Sequence, residues 1–325
     1  MNFRTEIKIS KSEFDINYNS KIFFIGSCFT DNIGNYFKKL KFDTLINPYG
    51  VLYNPESIYN TINFIIENKK FKESDLLKFN DKWISLNHHG SFSDTQLNKI
   101  LNKINTENTK AHIFLKQTDF LFITFGTSWI FRYNETKKTV ANCHKIPAKK
   151  FTREILSVNN IINNYNKLIT NVTKFNPKIK IIFTVSPIRH LKDGAHQNQI
   201  SKSTLFLAIN ELNKKFNNTS YFPSYEIVND DLRDYRFYKD DLTHLTDFTI
   251  NYIWEKISEK YLKKDTINKI SEIDKIIKAV NHKPYNKDSD EYKKFIIDTL
   301  KKINKFEENL KLDFSTERNI LNIKI

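Results

Sequence analysis

Residues 21–40 read KIFFIGSCFTDNIGNYFKKL: an apolar run stops at Gly26, and Ile33, Tyr36, Phe37 and Leu40 then recur at three- and four-residue intervals. The first half has the aromatic and β-branched content of a buried strand, and the second has the period of a helix with one apolar face. A strand, a sharp turn and a helix are therefore expected. Outward from this unit the alternation repeats. Residues 41–46 (KFDTLI) form a second strand stopped by Asn47-Pro48-Tyr49-Gly50, and Pro55 opens a helix carrying Ile58, Ile62, Ile65 and Ile66. A polar, histidine-bearing segment over 83–94 leads into a helix near 95–116, and residues 119–125 (DFLFITF) are a fully apolar third strand. Further on, the pattern gives a helix over 158–175, a strand over 180–185 (KIIFTV), a helix over 199–216, a brief fifth strand at 220–222 and a helix over 248–261.

Five strands separated by helices imply a parallel sheet covered on both faces, because parallel neighbours need crossover connections. Functional residues are then expected in the loops at the carboxyl ends of the strands. From about Lys263 the pattern changes to two amphipathic helices. Ile270, Ile273, Ile276 and Ile277 stripe the first, and Phe295, Ile296, Leu300, Ile303 and Phe306 stripe the second, with residues 281–288 around Pro284 as the hinge. Two units follow, a main domain over 1–262 and a helical extension over 263–325. The stripes of the extension need cover, either from the core or from a second copy in a homodimer.

Composition narrows the function. With 325 residues, 39% hydrophobic and 14% aromatic, the chain has ample material for a core, which excludes disorder over most of its length. The net charge of +15 would suit a polyanion, but it comes from 45 lysines and only seven arginines, whereas phosphate and base readout favour the arginine fork. A solvated lysine surface, and no nucleic-acid partner, is the expectation. No secretory leader is visible in residues 1–20, and the longest apolar stretch, 120–131, is too short to span a bilayer, so no membrane span and a cytoplasmic location are expected. Two cysteines, Cys28 and Cys143, make no disulfide framework and read as free thiols. His88, His89, Cys143 and His144 lack the spacing of a zinc site, so neither a metal nor another cofactor is expected.

Polar motifs fall after strands, Gly26-Ser27-Cys28-Phe29, Asn47-Pro48-Tyr49-Gly50, Gly126-Thr127-Ser128-Trp129 and Ser186-Pro187-Ile188-Arg189-His190, and before the last core helix, Asp241-Leu242-Thr243-His244, and the cluster Asn142-Cys143-His144-Lys145 and the run 231–238 (DLRDYRFY) join them along the chain. In this order they resemble the GSCFA family of the SGNH/GDSL hydrolase superfamily, over about Phe3 to Tyr261. The resemblance implies a flavodoxin-like three-layer α/β/α fold with a five-stranded, mainly parallel sheet, here followed by the C-terminal helical extension. It further implies ester hydrolysis or O-acyl transfer on a small-molecule or carbohydrate acyl ester, with His244 as general base and Asp241 fixing its tautomer.

Overlaying the superfamily's Gly-Asp-Ser-Leu block without gaps places Cys28 on the nucleophile position and Ser27 on that of the Asp. Cys28 is the favoured nucleophile, its thiolate aided by the helix N-terminus and by an imidazolium at His244. Ser27 is the rival, one residue away. As purely structural residues, Cys28 would fill the core and Ser27 would cap the helix. The resemblance assigns the oxyanion donors to the Cys28 N–H, Gly50 and Ser128, the last in place of an Asn, with Thr127, a water or Asn142 sharing its task. Asn142, His144, Arg189 and His190 are candidate substrate-binding residues, Arg189 being suited to a carboxylate or phosphate. Departures at Ser27, Cys28 and Ser128 leave a second reading, a noncatalytic protein that holds an anionic ligand on the same scaffold.

Overall fold

The computed structural model describes residues 4–286 and 289–322. Strand β1 (Lys21–Gly26) turns directly into α1 (Cys28–Lys39), which returns to β2 (Asp43–Ile46). Helix α2 (Pro55–Ile66) has proline at its first position and Asn54 as N-cap, whose Oδ1 accepts the Ser57 N–H at 2.8 Å. A hairpin of β3 (Leu77–Phe79) and β4 (Lys82–Ile84) precedes α3 (Leu97–Gln117) and the fully buried β5 (Phe120–Phe125). The chain then forms a small antiparallel sheet from β6 (Trp129–Tyr133), β7 (Thr139–Val140) and β8 (Phe151–Ile155). Helix α4 (Val158–Phe175), β9 (Lys180–Val185), α5 (Ala195–Lys215) and β10 (Thr219–Tyr221) follow. A short α6 (Ser224–Glu226) runs into a π-helical stretch over 227–232, and α7 (Asp247–Tyr261) closes the core. Beyond it lie α8 (Lys264–Asn281), α9 (Asp290–Leu310) and α10 (Ser315–Asn322).

The main sheet is five-stranded and parallel throughout, in the order β10-β9-β5-β1-β2. Period-two alternation sorts β1 onto two cores. Ile22 and Phe24 face the layer holding Ile33 and Phe37 of α1 and Ile253, Trp254 and Ile257 of α7, whereas Phe23 and Ile25 face the layer of α2, α3, α4 and α5. The three-layer α/β/α expectation holds. From β1 the chain goes first to β2 on one side and later to β5 on the other, so the carboxyl ends of β1 and β5 flank a switch in strand order, where open sheets of this kind bind ligands. In register, Gly26 pairs with Thr124, which brings the loops after β1 and β5 together.

The C-terminal helices join the first of these cores. Ile273, Ile276, Ile296, Ile303 and Phe314 are buried in the same cluster as Phe37 and Trp254, and Lys41 bridges to Glu317 (2.6 Å) with its ammonium 4.9 Å from the Phe314 ring centroid. The sequence pattern foresaw two helices here, and the described residues form three. The apolar spacing of α10 is only eight residues long and gave no period to read. Residues 287 and 288 of the expected hinge lie outside the described residues. The antiparallel sheet and the β3–β4 hairpin also went unforeseen, since their strands are two to five residues long and mostly half-buried, without clean alternation.

Candidate active site

The elbow between β1 and α1 is built by glycine and asparagine. Gly26 has φ +149°, and a Cβ there would lie 2.4 Å from the Thr124 carbonyl oxygen and 2.8 Å from Thr30 Oγ1, so only glycine lets the two strand ends close. Asn47, after β2, accepts the Gly26 N–H on Oδ1 (2.8 Å) and donates from Nδ2 to Asp31 Oδ1 (2.6 Å). One side chain thus ties β1, α1 and β2 at the turn. Ser27 is the N-cap of α1, but among the described residues it accepts no capping hydrogen bond and its buried Oγ has no partner. Cys28 is the first helical residue and is half-buried.

Cys28 and His244 line the same narrow pocket, together with Phe29, Asn32, Ile188, Thr243 and Leu245. Asp241 holds the histidine from the other side: its Oδ2 lies 2.6 Å from His244 Nδ1, and its Oδ1 accepts the N–H groups of Thr243 and His244, each at 2.9 Å. These bonds, first of all that from the His244 side chain, hold the Asp241 carboxyl down at about 2. The carboxylate only accepts, so it fixes the proton on Nδ1 and leaves Nε2 as the basic nitrogen. Among the described residues neither Ser27 nor Cys28 hydrogen-bonds to the His244 ring.

The electrostatics of Cys28 reverse one expectation. Burial pushes the thiol up, and the Asp31 and Asp241 carboxylates add to the effect, outweighing the N–H groups of Phe29 and Cys28 that favour the thiolate. A preformed thiolate is therefore disfavoured. The helix N-terminus acts on the sulfur, as expected, but a half-buried position between two carboxylates acts more strongly.

The residues assigned to the oxyanion are committed elsewhere. Gly50 donates its N–H to Asn47 O at 2.7 Å, has φ +78°, and a Cβ on it would lie 2.2 Å from His89 Cβ; it is a turn glycine under His89. Ser128 is fully buried, with both its N–H (2.8 Å) and its Oγ (3.1 Å) on Ser201 Oγ, which also bonds Thr127 Oγ1 at 3.0 Å. Shortening Asn to Ser left a side chain that reaches α5 and nothing beyond it. Of the other candidates, His190 packs edge-on against Tyr53, and burial, with Lys202 and Arg153 nearby, pushes it down to about 4, so it is neutral. Arg189 is exposed beside Tyr225 and Tyr238. Asn142 and His144 stand apart from these, lining a cleft of about 480 Å³ with Phe79, Asn80, Lys82 and Ser93 among its walls. His144 is pinned there by Ser85 O at 2.7 Å.

Comparison with known proteins then decides the family. The family model described as GSCFA family matches residues 21–257, and a second, GSCFA domain protein, C-terminal domain, matches residues 273–325. The chain belongs to the GSCFA family. No curated protein matches it. Among solved structures it resembles a carbohydrate esterase family 3 crystal structure from Talaromyces cellulolyticus, at 10% identity and a TM-score of 0.37 over 78% of this chain and 98% of that one. So loose a likeness says nothing about chemistry.

Within this GSCFA chain, four residues of the site were not foreseen. Asn32 lies one helical turn beyond Cys28 and lines the same pocket, a relation the i, i+4 spacing already contains. Asn47 sits in the quoted Asn-Pro-Tyr-Gly motif, but its role depends on a fold-back that no local pattern shows. Tyr53 O accepts the N–H groups of Gly126 (2.8 Å) and Thr127 (2.9 Å), fixing the loop after β5. Lys202 is wholly buried beneath that loop. Its signal was its register, since Asn198, Ser201, Lys202, Leu205, Ile209 and Leu212 form one helical face and a lysine stands in the middle of it. His88 is a core residue, stacked on Tyr49 at 4.1 Å and pushed down to about 3 by burial. Among the described residues no cluster of three or more His, Cys, Asp or Glu is placed to hold a metal, and no helix is long and apolar enough to cross a membrane.

Proposed function

We propose that this protein is an ester hydrolase or O-acyltransferase in which Cys28 is the nucleophile, His244 the general base and Asp241 the group that orients it. The observation that carries this reading is the pocket shared by Cys28 and His244, with His244 Nδ1 held by Asp241. Because the thiol is kept protonated, attack and proton removal belong to one step. His244 Nε2 takes the thiol proton as the sulfur–carbon bond forms, and the carbonyl π electrons move onto oxygen. The N–H groups of Cys28 and Phe29, which face the sulfur at the positive end of α1, stabilise that oxyanion. The Asn32 amide, lining the pocket one turn on, serves as the side-chain donor in place of Gly50 and Ser128. Collapse breaks the carbon–oxygen bond, and the leaving alkoxide receives the proton from His244. Water or an acceptor alcohol then attacks the thioester, with His244 again taking the proton; collapse breaks the carbon–sulfur bond, and the departing Cys28 sulfur receives that proton back from His244.

The cleft between the β3–β4 hairpin and residues 142–145 sets Asn80, Ser93 and Asn142 beside the apolar Phe79 and Ile84, a mixture suited to a sugar or another hydroxylated acyl ester. Residues 1–262 form the catalytic unit in this reading, and 263–325 brace α1 from behind. A second reading, a noncatalytic binder of an anionic ligand, is favoured by one observation: the Gly50 N–H and the Ser128 hydroxyl are both occupied within the protein. Turnover of p-nitrophenyl and sugar acetates by wild type and His244→Ala separates the two. A loss of roughly two to four decades with unchanged folding supports catalysis, and equal rates on every ester turned over support the binder.

A further inference from the structure

The cleft walled by the β3–β4 hairpin and residues 142–145 carries charge of one sign. Across the hairpin Phe79 pairs with Lys82 and Leu77 with Ile84. Partners in an antiparallel pair, and residues two apart on one strand, share a face, so Phe79, Lys82 and Ile84 present one surface, and all three line the cleft of about 480 Å³. The opposite wall is a tight turn closed by the Ile146 N–H on Cys143 O (2.9 Å), whose central residues His144 and Lys145 both have positive φ, 49° and 60°. Asparagine, aspartate and glycine ordinarily make such turns, and a histidine and a lysine stay in one only where their surroundings hold them. Asn142 Oδ1 accepts the His144 N–H at 2.8 Å, and His144 Nε2 donates to Ser85 O at 2.7 Å, which keeps His144 and Lys145 in the cleft wall. Among the described residues no Asp or Glu lines the cleft, and neither Lys82 nor Lys145 has an ion-pair or hydrogen-bond partner. Burial keeps the His144 imidazole below its ordinary value, so the charge here is that of two ammoniums.

We infer that this cleft is an anion site, which takes the carboxylate or phosphate of a hydroxylated ligand such as an acidic sugar between Lys82 and Lys145. The inference deepens the sugar reading of the cleft proposed above and rests on it for the ring, whereas the anion follows from the walls alone. Most lysines of this chain stand on open surface, where water screens them. These two stand on opposite walls of one cleft, one of them on a left-handed residue, and a concave surface of one charge sign concentrates the opposite sign within it. Lysine meets an anionic oxygen as a point charge on a flexible stem, so it suits either acid group without the planar match an arginine fork requires. Asn142, whose Oδ1 is occupied by the His144 N–H, offers its Nδ2 to a ligand oxygen. Phe79 and Ile84 give the C–H face of a sugar ring an apolar surface, and the volume lies within the range of small-ligand sites.

Calorimetric titration at low salt with glucose, glucuronate, glucose 6-phosphate and inorganic phosphate tests this in wild type, Lys82→Gln, Lys145→Gln and the double variant, with the exposed Lys167→Gln on α4 as control. The expected result is that at least one sugar acid binds about tenfold more tightly than glucose, that each single variant weakens it roughly two- to fivefold, and that the double variant brings it to the level of glucose. Lys167→Gln should bind as wild type does. Glucuronate against glucose 6-phosphate identifies the acid group. In wild type, added salt should weaken the acids and leave glucose unchanged, a readout that needs no variant. Sugar acids that bind no better than glucose, or that bind the double variant as they bind wild type, overturn the inference. The two readings fail separately, and neither needs turnover. Glucose bound with no gain from the acid keeps the sugar and removes the anion, whereas inorganic phosphate bound as tightly as the sugar acids, and lost with the two lysines, keeps the anion and removes the sugar. No binding of any of the four overturns both.

Discussion

Replacing Lys202 with methionine should change the pH dependence of stability by an amount fixed by its burial. The ammonium falls from 10.5 to about 7 on folding. A lowered lysine means that the unfolded chain holds the proton between these values while the folded protein does not, so this group's contribution rises with pH across that window. For one site with these two values, the cost is about 4 kcal/mol at pH 7 and about 2 kcal/mol at pH 9. Methionine removes this dependence. It also leaves the Gly126 and Ser186 carbonyls without their donor, but that loss is the same at every pH. His190, held near 4, stays neutral over the interval and adds nothing. Between pH 7 and pH 9, wild type should therefore gain about 2 kcal/mol relative to Lys202→Met, or about 3 °C in melting temperature for a chain of this length. Urea unfolding at several pH values with parallel buffers measures the difference. Two stability curves that run parallel from pH 7 to 9 would refute the reasoning, because they would mean that Lys202 keeps an ordinary lysine's proton affinity when folded.

Gly26→Ala places a Cβ 2.4 Å from Thr124 O at φ +149°, and a loss of roughly 2–4 kcal/mol is expected in urea unfolding; a loss below 1 kcal/mol would contradict the tight elbow. Ending the chain at Leu262 uncovers the apolar side of α1 and α7 that Ile273, Ile296 and Phe314 now cover, so light scattering should detect aggregation or calorimetry a lowered melting temperature. A soluble, equally stable truncation would show that the helices are dispensable. Since burial raises the Cys28 thiol, iodoacetamide at pH 7 should label it more slowly than an ordinary free thiol and accelerate as pH rises. Faster labelling than glutathione at pH 7 would mean a thiolate is already present.

Three strands of the parallel sheet, β1, β5 and β9, were legible because each is a largely apolar run, as at 21–26 and 180–185, whereas β2 (DTLI) and β10 (TSY) were read from their places between helices. The small sheet of β6, β7 and β8 was not, for Trp129–Tyr133 and Phe151–Ile155 alternate poorly and are joined by loops of unlike length. At the site, Asp241 and His244 were readable because both bonds run within four residues of chain. The engagement of the Gly50 and Ser128 donors was not legible, for the converse reason. What occupies their donors is Asn47 O in a turn and Ser201 on a distant helix, and whether a donor is free is a property of three dimensions. Lys202 was hidden by composition, one lysine among 45, and only its place on the buried face of α5 distinguishes it.

The most direct test of the account is to quench a reaction with p-nitrophenyl acetate in acid within its first turnovers and map the acetyl group by peptide mass. The account predicts acetyl on the Cys28 sulfur, formed far more slowly in His244→Ala and absent in Cys28→Ala. Acetyl on Ser27, or steady turnover by Cys28→Ala at the wild-type rate, would contradict it.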